Sequence, residues 1–174
     1  MPYEEENPVW PVYDRLRSAR LSVKYYSCKL QQAERLNFWF ELILLATAPG
    51  SAIAGLWFWS SDSGQIFWQV LAIPAALAAL LKPLLQLTKR IKDYEGVLSG
   101  YRVLDFDLME LKIAIEQKKK YDAPLQAEFK RALQRERTLI AKAPDSKEDA
   151  RVRAACQLEV NRELPSENFF LPQE

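Results

Sequence analysis

Histidine is absent from this chain of 174 residues, and cysteine occurs only twice, as Cys28 and Cys156. The commonest general base is therefore missing, and no serine or cysteine nucleophile has the imidazole partner that usually activates it. The two cysteines have no Cys-x-x-Cys spacing, so they indicate neither a zinc site nor a redox motif, and we expect a reduced pair. We expect no enzyme activity, no cofactor and no metal.

Glycine is also scarce, and the five glycines form no loop of the kind that cradles phosphates. The formal net charge is only +1, so the chain has no overall field that would attract a polyanion. Its carboxylates are spread along charged segments and form no paired cluster. We therefore expect no direct binding of nucleic acid.

Two long apolar runs dominate the sequence, Leu42–Trp59 and Ile66–Leu87. Each has about 18–22 residues, which at about 1.5 Å per residue is enough to cross a hydrocarbon layer about 30 Å thick. The pattern predicts an all-α membrane protein with a transmembrane hairpin at residues 38–87, made of spans 38–59 and 66–87 and a loop at 60–65. Core helices of a water-soluble bundle are the less favoured alternative, because such helices usually carry a polar stripe.

Basic residues flank the hairpin at both ends, whereas the loop at 60–65 has none. Lys and Arg mark the cytoplasmic side of a membrane span. The sequence therefore predicts a multi-pass protein with both termini in the cytoplasm.

Two charged residues fall near the inner ends of the spans. Folding the hairpin about Asp62 places Glu41 level with Lys82. One interpretation is structural: the two residues form an ion pair between the helices, or Lys82 extends to the lipid head groups. The other interpretation is a charged ring at the mouth of an oligomeric pore.

Prolines supply candidate kinks. Pro49, followed by Gly50, lies level with Pro74 in the folded hairpin, and Pro83 follows one residue after Lys82. Each proline removes a backbone donor and can bend its helix, so these residues are candidate hinges.

Other polar side chains lie inside the apolar runs. Thr47 and Ser51 share one helix face, where their hydroxyls either bond carbonyls that a proline frees or line a water path. Gln69 allows the same two interpretations. Small residues also recur every four positions, which favours close helix packing between copies and hence a homo-oligomer.

The segments outside the hairpin, 1–37 and 88–174, are predicted to be a cytoplasmic amphipathic helix and a cytoplasmic helical region with an extended tail. Apolar residues spaced by three and four indicate heptad seams, and we expect the two long helices to pack as a coiled stalk or bundle. The seam positions are Val12, Leu16, Ala19, Val23, Tyr26, Leu30 and Ala33 in the first helix, and Leu87, Ile91, Tyr94, Leu98, Tyr101, Leu104, Leu108, Leu111 and Ile115 in the second.

Capping signals predict two further helices. Asp122 resembles an N-cap before an apolar face that includes Leu125 and Ile140, and Ser146 with Asp149 matches a capping box. The tail around Phe169 is expected either to dock as an extended strap or to be disordered.

The whole order, with the runs YDRLRSARLSVKYYSCKLQQAERLNFWFELILL, APGSAIAG and LLQLTKRIKDYEGVLSGYRVLDFDLME, resembles the SLATT family of small two-transmembrane bacterial effectors over residues 12–143. The resemblance implies a protein of the bacterial inner membrane that acts in antiviral immunity. It also implies activation by a partner enzyme that makes a nucleotide signal, or by another defence protein. It brings no catalytic residues.

Two functions follow as hypotheses. The first is an oligomeric pore or ion channel in antiviral, abortive-infection defence, gated by a nucleotide signal or a partner protein. The alternative is a membrane anchor or scaffold whose helices outside the bilayer recruit or cage a partner.

Overall fold

The structure, a computed structural model, describes residues 7–47, 73, 76–145 and 147–172, and all its regular structure there is helical. We name the helices α1, Trp10–Thr47; α2, Leu87–Lys118; α3, Ala123–Ala141; and α4, Ala150–Glu163. A short 3₁₀ helix follows at Ser166–Asn168, and residues 76–85 are also helical. The chain divides into a first unit, Met1–Lys29 with Asp93–Glu174, and a second unit, Leu30–Lys92.

The prediction of a transmembrane hairpin with spans 38–59 and 66–87 is wrong: among the described residues, no helix combines the length and the apolar character needed to cross a membrane. The same finding overturns the predicted multi-pass location in the bacterial inner membrane and the classification as a transmembrane, pore-forming protein. Helix α1 is long enough at 38 residues, but ionised side chains recur along it as far as Glu41. An ionised group inside lipid costs several kcal/mol, so length alone does not make a span.

The described part of the second predicted span contains a break near its end. Helical residues 76–85 end at Gln86, whose φ of 45° is in the left-handed region, and α2 begins at Leu87. Residues 48–59 of the first predicted span, the loop at 60–65, and residues 66–72 lie outside the described residues.

The core of the first unit is built on the inner faces of α1 and α2. Every member of the α2 seam from Tyr94 to Ile115 is buried, and the two earlier members, the buried Leu87 and the partly exposed Ile91, belong to the second unit. In α1 the seam residues of the first unit are buried apart from the partly exposed Val23. Burial of large apolar side chains contributes roughly 1.5–3 kcal/mol each, so these two faces supply much of the stability of the unit.

Helix α3 begins at the cap that the sequence predicts. The Asp122 carboxylate accepts a hydrogen bond from the backbone N–H of Leu125 over 3.2 Å. Leu139, rather than the predicted Ile140, is buried, and it lies against Gly100 of α2 so closely that a Cβ at that position would overlap its Cδ2 atom. The missing side chain of Gly100 therefore sets the close approach of α2 and α3.

Helix α4 is capped by Asp149 itself, which accepts hydrogen bonds from the N–H groups of Arg151 and Val152. The capping box was expected to start this helix at Ser146, a residue outside the described ones. Cys156 and Val160 of α4 pack with Leu21 of α1, so α4 closes the core of the first unit.

The tail docks on the start of α1. The Phe169 ring stacks on Tyr13 with centroids 4.3 Å apart, and the Tyr13 hydroxyl donates a hydrogen bond to the Phe170 carbonyl over 2.6 Å. Asn7 donates its side-chain amide to the carbonyl of Pro172 over 3.1 Å. Of the two expectations for the tail, the docked strap is the one observed.

Candidate interaction surface

The second unit exposes an unusual number of large apolar side chains, which we call the apolar surface. On α1 they occur from residue 36 to residue 45, and the others are Ile73 and leucines of the helical stretch 76–85. The apolar surface consists of Leu36, Phe38, Trp39, Leu42, Leu45, Ile73, Leu77, Leu80, Leu81, Leu84 and Leu85. A solvated protein rarely exposes an apolar patch larger than a few hundred Å², so this surface is a candidate interaction site.

The local sequence explains the exposure. Residues 42–45 of α1 are four consecutive apolar residues, and seven consecutive leucines or alanines precede Lys82. A helix that is apolar on every side cannot turn all of its apolar residues toward one neighbouring helix, and such helices are normally buried. Within the second unit only Ala78 and Leu87 are fully buried among the described residues.

The structure brings together two of the candidate site residues, Glu41 and Lys82. The Lys82 Nζ atom lies 3.3 Å from Oε1 of Glu41, and the same oxygen accepts a hydrogen bond from the Asn37 side-chain amide over 2.9 Å. The Asn37 amide and, after it, Lys82 lower the pKa of the Glu41 carboxyl below its usual value. Each charge thus has a partner inside the second unit.

The other candidate site residues are not joined to this pair. Pro83 is exposed in the helical stretch 76–85, and Thr47 is the last residue of α1, where its side chain is not described. Pro49, Gly50, Ser51, Gln69 and Pro74 lie outside the described residues. Their roles as pore-lining or hinge residues stay predictions.

An ion-pair cluster in the first unit was not predicted from the sequence. Arg20 of α1 donates from Nε to Oδ1 of the buried Asp105 in α2 over 2.9 Å, and Glu163 of α4 lies 3.6 Å from its guanidinium. Lys24 adds contacts of 2.7 Å to Glu163 and 2.9 Å to Glu159. These cations lie on the α1 face beside the heptad seam, but the sequence pattern does not say which carboxylates they meet.

Tyrosines form a second polar group at the same interface. Tyr26 stacks on Tyr101 with centroids 5.5 Å apart, and Tyr94 donates from its hydroxyl to the Asp145 carboxylate. The Tyr25 hydroxyl accepts a hydrogen bond from the backbone N–H of Asp149. Burial, and then the neighbouring Tyr101, raises the pKa of Tyr26 to about 12. The contacts of Tyr94 and Tyr25 join α2 and α1 to the segment between α3 and α4.

Two shallow clefts in the first unit offer little chemistry. One, of about 260 Å³, lies between α2 and α3 and includes Asp107, Glu128 and Arg131. The other, of about 230 Å³, includes Asp14, Arg17 and Gln157. In the part of the chain that the structure describes, no three His, Cys, Asp or Glu side chains are grouped so that they could hold a metal ion. The apolar surface is therefore the more informative feature.

No family model matches the chain, and comparisons with curated proteins and with solved structures found no similar protein. The resemblance to the SLATT family stays a prediction.

Proposed function

We propose that this protein is a self-associating helical scaffold. Copies of the chain assemble through the apolar surface of the second unit, and the first unit is the folded module that each copy contributes. The observation that carries this proposal is the exposure of large apolar side chains on the described helices of the second unit.

The number of large apolar side chains on the apolar surface supports an assembly. Removing apolar area from water yields roughly 25 cal/mol per Å², and large apolar patches on folded proteins are typical of interfaces with other chains. Trp39 and Phe38 are among its members, and aromatic residues are enriched at the centres of protein interfaces. A second copy supplies the same surface and therefore matches it in chemistry.

The pairing of charges supports it too. An unpaired charge in an apolar interface would cost several kcal/mol, whereas a paired one costs much less. Glu41 is already held by Lys82 and Asn37 of the same chain. Association can therefore cover the apolar surface without leaving this carboxylate alone.

The two hypotheses drawn from the sequence do not fit the structure equally well. A role in antiviral defence stays a prediction, but a pore requires helices that cross a bilayer, and the described residues contain none. The scaffold hypothesis keeps its central element, helices that bind other chains, without the membrane anchor. The proposed scaffold has no assigned partner other than its own copies.

The test is the oligomeric state of the full chain. Leu77, Leu80 and Leu84 are replaced together by serine, and sedimentation velocity measures the mass of the particle. The wild-type chain should form a discrete oligomer, and the triple variant should shift toward the monomer. Circular dichroism checks that helix content is retained.

A matched control comes from the first unit. Ile140 and Leu158 are large, apolar and exposed to a similar degree, so Ile140→Ser with Leu158→Ser makes the same chemical change outside the apolar surface. This variant should assemble as the wild-type chain does. A wild-type chain that stays monomeric contradicts the proposal, as does a monomer that binds neutral phospholipid vesicles through the same three leucines.

A further inference from the structure

Helix α2 has a second apolar face, opposite the seam that is buried in the first unit. Val103, Phe106 and Ile113 are exposed on it, and Phe106 keeps 73% of its surface in contact with solvent. Their spacing of three and seven residues puts them on one side of an α-helix. The second face is a short stripe and not a scatter of single residues.

Two opposite charges frame this stripe symmetrically. Arg102 precedes Phe106 by four residues and Glu110 follows it by four, and both are exposed on the same side of α2. They are about 12 Å apart along the axis, at about 1.5 Å per residue, so they do not pair with each other. Among the described residues neither side chain forms an ion pair, although Glu110 lines the cleft between α2 and α3 that also includes Arg131 and Arg135.

We propose that two copies of this chain pair through α2, antiparallel, with Phe106 facing Phe106 across a two-fold axis. In this arrangement Arg102 of each copy lies level with Glu110 of the other. Two equivalent ion pairs then flank the central aromatic contact. Ser99 lies level with Ile113 of the second copy, so a small side chain faces a large one.

The charges of Arg102 and Glu110 determine both which chain binds to α2 and in which direction it runs. Parallel pairing in register would place Arg102 on Arg102 and Glu110 on Glu110, and like charges in contact are unfavourable. Antiparallel pairing turns the same residues into attractive contacts. A second copy of α2 supplies the complementary charges by symmetry, because a two-fold contact is made by the same patch on both chains.

The contact is small. A stripe of three apolar residues covers much less than the roughly 800 Å² per partner of a standard interface, so it is weak by itself. The pairing therefore rests on the proposed self-association, which holds first units together and raises their effective concentration. The proposed α2 pairing specifies which faces of the first units contact each other in the assembly.

Disulfide cross-linking in the assembled full chain tests the pairing. Paired helices lie about 8–10 Å apart, and with Cα atoms about 2.3 Å from each axis, residues at the two-fold axis come within reach of a disulfide. Phe106→Cys should form a covalent dimer on mild oxidation, and mass spectrometry should locate the bond at residue 106 in both chains. Leu158→Cys, equally exposed on α4, is the control and should not.

Charge exchange tests the partner. In the Phe106→Cys chain, Arg102→Glu and Glu110→Arg should each reduce the yield of cross-linked dimer several-fold. The two together should restore it, because the exchanged charges again face each other.

The outcomes separate the two proposals. An oligomer by sedimentation that gives no dimer through residue 106 overturns the pairing and leaves the proposed scaffold standing. A double charge exchange that fails to restore the dimer also overturns the pairing. A chain that never assembles overturns both.

Discussion

Arg20 and Asp105 join α1 to α2 through an ion pair in which Nε donates to Oδ1 over 2.9 Å, and only 8% of Asp105 is exposed. The Asp105 hydrogen bond is the main reason that the pKa of Arg20 is raised further above its usual value. Glu163 of α4 lies beside the same guanidinium. The pair thus connects three helices of the first unit at one point.

Removing one partner of this pair should destabilise the protein. Asp105→Ala leaves the Arg20 guanidinium without its carboxylate, and breaking a buried pair costs about 3–5 kcal/mol. Because the Arg20 side chain keeps 27% of its surface exposed, we expect about 2 kcal/mol, measured by urea denaturation.

The control for this prediction is an exposed ion pair. Arg153 pairs with Glu148 at the surface of the first unit, and Arg153→Ala should change the free energy of unfolding by about 0–1 kcal/mol. A double variant, Arg20→Met with Asp105→Leu, should recover part of the loss. Equal effects of Asp105→Ala and Arg153→Ala would contradict the structural role given to Asp105.

Gly96 and Gly100 of α2 should respond in opposite directions to alanine. A Cβ at Gly96 meets open space, so Gly96→Ala should raise the free energy of unfolding by about 0.5–1 kcal/mol through helix propensity. A Cβ at Gly100 overlaps Leu139, so Gly100→Ala should lower it by about 1 kcal/mol, since overpacking costs about 1–3 kcal/mol. Urea denaturation midpoints measure both changes in stability. A Gly100→Ala chain that is more stable than the wild-type chain would show that Leu139 moves freely.

The sequence predicted the inner faces of the long helices because their burial follows a simple period. The α2 seam from Tyr94 to Ile115 and the Asp122 cap are local patterns, and both are present. The burial of Leu139 instead of Ile140 does not follow from the sequence of α3 alone. It depends on the space that Gly100 leaves on α2, and the spacing of apolar residues in α3 does not indicate that space.

The hairpin prediction failed because it judged spans by apolar length. Gln86, the last residue but one of the second predicted span, takes a left-handed conformation and separates the helical stretch 76–85 from α2. Folding the two apolar runs about Asp62 nevertheless placed Glu41 level with Lys82, and the structure has these two residues 3.3 Å apart. The sequence indicated the apolar residues of the apolar surface. It did not indicate which chain covers them, because that depends on how copies assemble.

The docked tail should loosen when its aromatic contact is removed. Phe169 is buried against Tyr13, so Phe169→Ala should destabilise the first unit by about 3 kcal/mol. Tyr13→Phe keeps the ring stack and loses only the hydrogen bond to Phe170, at about 1 kcal/mol. Hydrogen exchange at residues 164–172 should speed up more for the first variant than for the second, and the reverse order would contradict the packing described.

Stability should fall in strong alkali because of buried tyrosines. Burial, and then nearby Glu116, raises the pKa of Tyr13 to about 12, and burial raises the pKa of Tyr26 to about 12. The folded chain holds these protons more tightly than the unfolded chain, whose tyrosines titrate near 10. The stabilisation that these two tyrosines give the folded chain is therefore complete below pH 10 and is lost as the pH rises through about 12.

Urea midpoints across this range measure the effect, and a Tyr13→Phe, Tyr26→Phe variant separates it from the titration of lysines. The variant should lose less stability than the wild-type chain between pH 10 and about 12. Parallel curves for the two proteins would show that other groups control the alkaline transition.

The contact between Tyr13 and Phe170 joins residues 157 positions apart, and this has a consequence for biosynthesis. A ribosome adds about 5–20 residues per second, so Phe170 follows Tyr13 by on the order of ten to thirty seconds. Throughout that interval the aromatic start of α1 has no tail to cover it. The first unit therefore completes its folding only late in translation, after the apolar surface of the second unit has already been made.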